Sequence, residues 1–378
     1  MQQRYLAANP HNLVRVILGE RHDNDSETDN VYTRAAQYFE NWIRTGILEQ
    51  DARPGLYAYF QEFEVPDSGE RLTRQGFIGL GKIEDYSAGI VYRHEHTLTG
   101  PKKDRMEVLR HTRAHFGQIF MLYPDANGDM DQELVRASAA IAVTDVTDEY
   151  GARHRLWPIT DPARIEHIQQ LMSPMKLLIA DGHHRYETAL NYRNEHPEDP
   201  AAQYVMMTFV NMYSPGLKIL ATHRVLRGLA NFSSETLASK CAAPWSLGLV
   251  RDEATLKAAL VSTSDRIRIG AFMADRPYLL TRPRLAEELD VPVLHHEILG
   301  AWLGIDEDAV RGEQFIEYVR GADQAIARVR EGGAQVAFLL NPTPIGDMAR
   351  VAFSGGVMPQ KSTDFYPKLL TGMTIYRL

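Results

Sequence analysis

Asp181-Gly182-His183-His184-Arg185 is the stretch of this 378-residue chain whose residue types and order point most directly to chemistry. It follows the apolar run Lys176-Leu177-Leu178-Ile179-Ala180, and Tyr186, Ala189, Leu190 and Arg193 then recur at helical offsets, so a strand enters a helix here. The start of a helix turns backbone N–H groups and the positive end of the helix dipole outward, and a glycine there permits close approach by an anion. Arg185 adds a two-pronged donor for phosphate, and His183 and His184 add further donors. Spacing alone leaves a second reading open, in which Asp181 merely caps the helix and the histidines decorate its first turn. Neighbouring residues on a helix point about 100° apart, so His183 and His184 do not form a chelating pair by themselves.

Three further clusters carry charge. His94-Glu95-His96-Thr97 leads to Lys102, Lys103, Asp104 and Arg105, where Glu95 is placed to accept a hydroxyl proton and the cations to screen a transferring phosphate. An ordinary solvated helix start reads equally well. The histidines of this segment lack the HExxH spacing of a zinc protease. Lys361-Ser362-Thr363, with Lys368 beyond, follows Gly355-Gly356 in a loop suited to a charged ligand, without the pattern of a P-loop. Thr222-His223-Arg224 follows the apolar stretch from Lys218. No GxSxG elbow or GxGxxG turn occurs, which lowers the case for a serine hydrolase or a Rossmann oxidoreductase.

The elements that must position these clusters are read from periodicity. Leu13–Leu18 is β-branched and apolar and is expected to be a strand; Tyr32, Ala35, Ala36, Phe39, Trp42 and Ile43 mark an amphipathic helix closed by Gly46. Leu56–Phe63 and Gly76–Ile83 form a hairpin across the turn residues 66–69. Helices are expected at 102–115, 164–171, after Gly182, at 253–261 and at 322–331, with strands at 118–123, 175–180, 204–210, 266–272 and 335–340. The fold class is mixed α/β in three parts: an N-terminal α+β lobe (1–125), a middle segment with the DGHHR sequence (126–230), and a C-terminal α+β lobe (231–378) with the MPQKST loop.

A net charge of −8 argues against broad capture of nucleic acid, while leaving room for a local phosphate pocket. With Cys241 as the one cysteine, no intrachain disulfide or CxxC site can form, which fits a cytoplasmic protein. No apolar signal core opens the sequence and no run is long enough to span a membrane.

Five segments together, NPHNLVRVILGE from Asn9, HEHTLTGPKKDRMEVLR from His94, IADGHHRYETALNYR from Ile179, LKILATHRVL from Leu217 and MPQKSTDFYPKLLTG from Met358, resemble the prokaryotic domain-of-unknown-function family 1015 over nearly the whole chain. The DGHHR segment is similar to the phosphate-binding motif of the ParB/sulfiredoxin fold, on which free-serine kinases occur. The resemblance implies a nucleotide-binding core of that fold with an additional lobe, ATP or ADP with Mg2+, and phosphoryl transfer to a small hydroxyl compound, free L-serine first. It implies phosphate contacts from Gly182, His183, His184 and Arg185, then Lys102, Arg105, Lys361, Ser362, Thr363 and Lys368; Glu95 as general base beside His94; Asp181 orienting Arg185 or a metal-bound water; and substrate contacts from His223 and Arg224. No dedicated metal ligand is assigned. A nucleotide-binding regulatory or partition-type protein and a metal-dependent hydrolase are the alternatives. Members usually carry a Pro-Pro-Tyr-Asp-like segment ahead of the stretch matching Asn9 and a proline where this chain has Ala221; both are absent here, and contacts made by the first are expected to be missing.

Overall fold

A computed structural model describes residues 2–66, 68–95, 100–261 and 265–378, and it is a mixed α/β structure built on two large sheets. The first has eight strands, in spatial order Val91–Tyr92, Leu177–Asp181, Ile119–Tyr123, Tyr204–Asn211, Arg71–Lys82, Leu56–Glu64, Arg153–Ile159 and Thr144–Thr147. The second has six, in the order Ser246–Leu249, Arg276–Pro283, Arg266–Met273, Val336–Leu339, Thr222–Leu226 and Ile316–Arg320, all antiparallel.

The expected boundary at 125/126 is crossed by the first sheet, whose strands come from both sides of it. The hairpin 56–64/71–82 has a long apolar face that pairs with the strand Tyr204–Asn211 on one side and Arg153–Ile159 on the other, so neither segment can bury its core without the other. The C-terminal residues likewise return to this lobe. Asp364–Tyr366 pairs with Lys218–Leu220, and Tyr376–Arg377 pairs with Ala114–His115. The MPQKST loop therefore spans the two sheets rather than belonging to the second alone.

Leu13–Leu18 is not a strand. Val14–Ile17 is a helical turn whose first N–H is taken by the Asn12 side chain at 3.0 Å. Val16 packs with Ala35, Phe39 and Trp42 of the helix Val31–Arg44. A short apolar run looks alike in either conformation, and here the asparagine ahead of it supplies a local cap. The helix Val31–Arg44 forms as its spacing predicts, closed at its start by a capping box of Asn30 and Thr33.

The strand Leu177–Asp181 has its three central residues fully buried, lying between Val91–Tyr92 and Ile119–Tyr123, which is why its sequence runs apolar without alternation. Val91–Tyr92 lies parallel to it, with Tyr92 opposite Leu178, so the residues after both strands emerge at one edge of the sheet. That edge carries the candidate site.

Candidate functional site

Three segments far apart in sequence meet at this edge. His94-Glu95 follows the strand Val91–Tyr92, and Asp181-Gly182 ends its parallel neighbour. The 358–368 loop is drawn in by a bond from the Met358 N–H to the His94 carbonyl at 2.7 Å and a bridge between Glu95 and Met358. His96 and Thr97 lie outside the described residues, as does the side chain of Lys102.

Gly182 has φ +96°, a conformation that side chains resist, and it is the N-cap of the helix His183–Glu195. No side chain caps this helix. The Asp181 carboxylate turns instead to Arg185 Nη2 at 2.7 Å and Lys368 Nζ at 3.3 Å, so the reading of Asp181 as a cap is replaced by one in which it orients two cations. Burial works against its ionisation, yet Lys368 and Arg185 prevail and hold the carboxyl down at about 2. The Arg185 guanidinium folds over the glycine; a Cβ at Gly182 would stand 3.0 Å from its Nε and Nη2, and one at Gly117 3.0 Å from Nη1. Two glycines thus make room for one arginine.

On the outer side of the helix start, Arg185 lines a cleft of about 130 Å³ with Asp104, Arg105, His115, Gly117 and Thr188. Arg105 comes from the helix Gly100–Thr112, which packs against the His183 helix. Its pKa is lowered by burial and by the neighbouring Arg185 cation. The Arg185 cation beside Arg105, offset in part by Asp104 and Asp181, is an arrangement that a bound anion relieves.

On the inner side stand the histidines. His183 is 8% exposed, its Nε2 is buried with no hydrogen-bond partner, and burial lowers its pKa to about 3. Its ring meets that of His94 edge-on with centroids 4.9 Å apart. His94 is fully buried and donates from Nδ1 to the Ile179 carbonyl at 2.8 Å, leaving Nε2 facing the Thr363 hydroxyl at 2.7 Å. Glu95 Oε1 accepts from the Thr363 N–H at 2.9 Å and lies 3.0 Å from its Oγ1. Burial opposes ionisation of Glu95, but the His94 and His183 rings and the Thr363 N–H hold its carboxyl at about 2. Held low, the Glu95 carboxyl stands as an anion and hydrogen-bond acceptor beside Thr363.

The remaining expected residues separate. Lys368 reaches both Asp181 and Asp364 at 3.3 Å. Ser362 is buried, its hydroxyl donating to the Pro359 carbonyl at 2.6 Å, and Lys361 is exposed with φ +59°. His223 and Arg224 do not face the cleft. The His223 Nδ1 accepts from the Leu340 N–H at 3.2 Å, and fully buried Arg224 donates to the Lys361 carbonyl at 3.0 Å, to the Thr222 carbonyl and to His295 Nε2 at 3.2 Å. Both are buried in the second sheet, and Arg224 holds the loop that carries Thr363.

Arg74 and Gln61 escaped the sequence reading. Arg74 is 1% exposed and donates to Gln61 Oε1 at 2.9 Å and to the Tyr366 and Pro367 carbonyls at 3.3 and 2.6 Å, while Gln61 Nε2 donates to the Lys368 carbonyl at 3.1 Å. They fix the backbone from which Lys368 projects. A lone arginine at an inward position of a strand was the available signal, since such a charge requires partners. Among the described residues no group of three or more His, Cys, Asp or Glu is gathered to hold a metal ion, and no helix is long and apolar enough to cross a membrane.

Comparison with solved structures finds a conserved hypothetical protein from Pyrococcus furiosus, 12% identical over 78% of this chain and 93% of its own, with a TM-score of 0.42. A free serine kinase in complex with AMP is 12% identical over 76% of this chain and 86% of its own, at 0.41. SbnI with a C-terminal truncation, from Staphylococcus aureus, is 11% identical over 78% and 85%, at 0.37. No curated protein matches the sequence. Residues 1–296 match the model of a family described as a protein of unknown function, DUF1015; that span holds the His94-Glu95 and Asp181–Arg185 segments, while the 358–368 loop lies beyond it. With more than three-quarters of its length so matched, this chain belongs to the DUF1015 family.

Proposed function

We propose that this protein is a nucleotide-dependent phosphotransferase acting on a small hydroxyl compound, with ATP or ADP as donor and free L-serine as the first acceptor to test. The observation that carries the reading is the start of the His183 helix. There a left-handed glycine opens the helix, the Arg185 and Arg105 guanidinium groups share the cleft on its outer side, and the buried Nε2 of His183 is without a partner on its inner side. Phosphate in that cleft answers the helix start and both arginines: the helix start and the guanidinium fork supply N–H donors, and the anion offsets the like charge of the two arginines.

In this reading Asp181 keeps Arg185 pointed at the phosphates, and Lys368 adds positive charge where the leaving group develops negative charge. Phosphoryl transfer depends on positioning and charge neutralisation more than on a strong base, so the ionised Glu95 suits the task of orienting the acceptor hydroxyl. Magnesium would bridge the phosphates and neutralise their charge, with few or no protein carboxylates needed to hold it. His183, His184 and Gly182 are proposed as phosphate neighbours, and Lys361 as a more distant cation.

The test is direct. The full chain is incubated with ATP or ADP, Mg2+ and L-serine, and O-phosphoserine is sought, with other hydroxyl amino acids in parallel and nucleotide binding followed by calorimetry. Product with serine supports the reading. Nucleotide binding with no product from any acceptor marks a binding protein instead, and absence of both binding and product removes the reading.

A further inference from the structure

We propose that Thr363 is itself a phosphoryl acceptor, so that the protein phosphorylates its own 358–363 loop; this rests on the phosphotransferase reading above. Other threonines spend their hydroxyl proton on a single acceptor: Thr112, Thr188 and Thr343 on the main-chain carbonyls of Val108, His184 and Ser362, and Thr208 and Thr255 on the side-chain oxygens of Gln118 and Asp252. Thr363 does not. Its Oγ1 faces two proton acceptors, His94 Nε2 at 2.7 Å and Glu95 Oε1 at 3.0 Å, with one proton to give. On the far side of the imidazole, Nδ1 donates to the Ile179 carbonyl at 2.8 Å. That bond takes the Nδ1 proton, so that in the neutral form of the ring Nε2 carries the lone pair. A hydroxyl bonded to an imidazole whose other nitrogen is held by an acceptor is the arrangement by which proteins activate an oxygen nucleophile.

The position suits the donor. The His94 ring contacts that of His183, the first residue of the helix whose start is assigned to the phosphates. Thr363 is only half-buried, whereas the adjacent Ser362 is buried with its hydroxyl engaged by Pro359. Exposed Lys361 and half-exposed Lys368 flank the segment with positive charge. The step balances with a nucleoside triphosphate as co-reactant. A Thr363 Oγ1 lone pair forms the new P–O bond, and the bond from the γ-phosphorus to its bridging oxygen breaks. The electron pair leaves with the nucleoside diphosphate, and the hydroxyl proton passes to His94 Nε2.

The experiment incubates the full chain with ATP and Mg2+, with and without L-serine. Tryptic peptides are then read by mass spectrometry, and free phosphoserine is measured in the same tube. The expected result is one phosphoryl group at Thr363 in the peptide Ser362–Lys368, at a fraction independent of protein concentration. Thr363→Val and His94→Gln lose it, and Thr363→Ser, which keeps the hydroxyl and the loop contacts, retains it on the introduced side chain. Phosphoserine formed while Thr363 stays unmodified overturns this inference and leaves the kinase reading standing. A label that persists in Thr363→Val overturns it as well. Absence of phosphoryl transfer to any acceptor overturns both.

Discussion

Arg185 and Arg224 each follow a histidine in a basic cluster after an apolar strand, and they have opposite fates. Arg185 shares a carboxylate with Lys368, lines a cleft and lies beside a second arginine. Arg224 is fully buried, lowered to about 10 by burial, and its donors end on main-chain carbonyls and a neutral ring. One is an arginine with like charge beside it and space in front of it; the other is finished within the fold. The difference teaches that a cationic motif stays open to an anion where like charge and space stand beside it, and becomes a scaffold where carbonyls and a neighbouring ring take its donors.

The comparison breaks most sharply by exchanging readouts. Arg185→Ala is expected to weaken nucleotide binding by about 2–4 kcal/mol, roughly 30- to 1,000-fold, with little change in melting temperature. Arg224→Met should do the reverse, lowering stability by about 2–4 kcal/mol through orphaned carbonyls while binding persists in the folded fraction. Calorimetric titration alongside thermal unfolding checks both, and equal loss of binding in the two variants would dissolve the distinction. Next in size is Gly182→Ala. A methyl at φ +96° and 3.0 Å from the Arg185 guanidinium costs about 1–2 kcal/mol and should weaken nucleotide binding roughly tenfold, without unfolding the chain.

Acid should affect both lobes. Burial lowers His115 and His183 in the first to about 4 and 3, and His223 and His295 in the second to about 4 and 3. An unfolded chain protonates its imidazoles near 6.5, about the ordinary value, whereas these folded ones resist. Their contribution is therefore complete above about pH 7 and lost as pH falls from 6.5 towards 3–4. Glu95 and Asp181, held at about 2, contribute above the usual carboxylate range, and that contribution fades between about 4 and 2. Melting temperature against pH should begin to fall on the histidine limb, and replacing His295 by Phe should soften that limb. A flat profile between pH 7 and 5 would contradict the burial of these rings.

The smallest effect is expected from Lys368→Gln. Its half-exposed pair with Asp181 is worth less than about 1 kcal/mol. Nucleotide affinity should drop only a few-fold, and the Asp181 carboxyl should titrate higher, which NMR can follow.

Much of the scaffold was legible. The helix Val31–Arg44, the hairpin and the strand-to-helix passage at Asp181–His183 form where periodicity and turn residues predict, because each is decided by neighbours within a few positions. Val14–Ile17 was misread because four residues, three of them apolar, are too few to show a period, and Asn12 tipped the balance. The burial of His223 and Arg224 was not legible for another reason: whether a strand residue faces solvent or a second layer depends on a sheet assembled from segments a hundred residues apart.

The amino-acid order by itself determined the family, the helix start at Gly182 and the cationic and polar residue types gathered there, since these follow from local conformation and side-chain chemistry. Only the tertiary structure decided that Glu95 accepts from Thr363, 268 positions away, that Arg74 and Gln61 fix the backbone of Lys368, and that Arg105 confronts Arg185. Those contacts arise where the parallel strands Val91–Tyr92 and Leu177–Asp181 end at one sheet edge and the C-terminal loop folds back over it. Which distant segments share an edge is set by burying their apolar faces together, and no spacing along the chain records it.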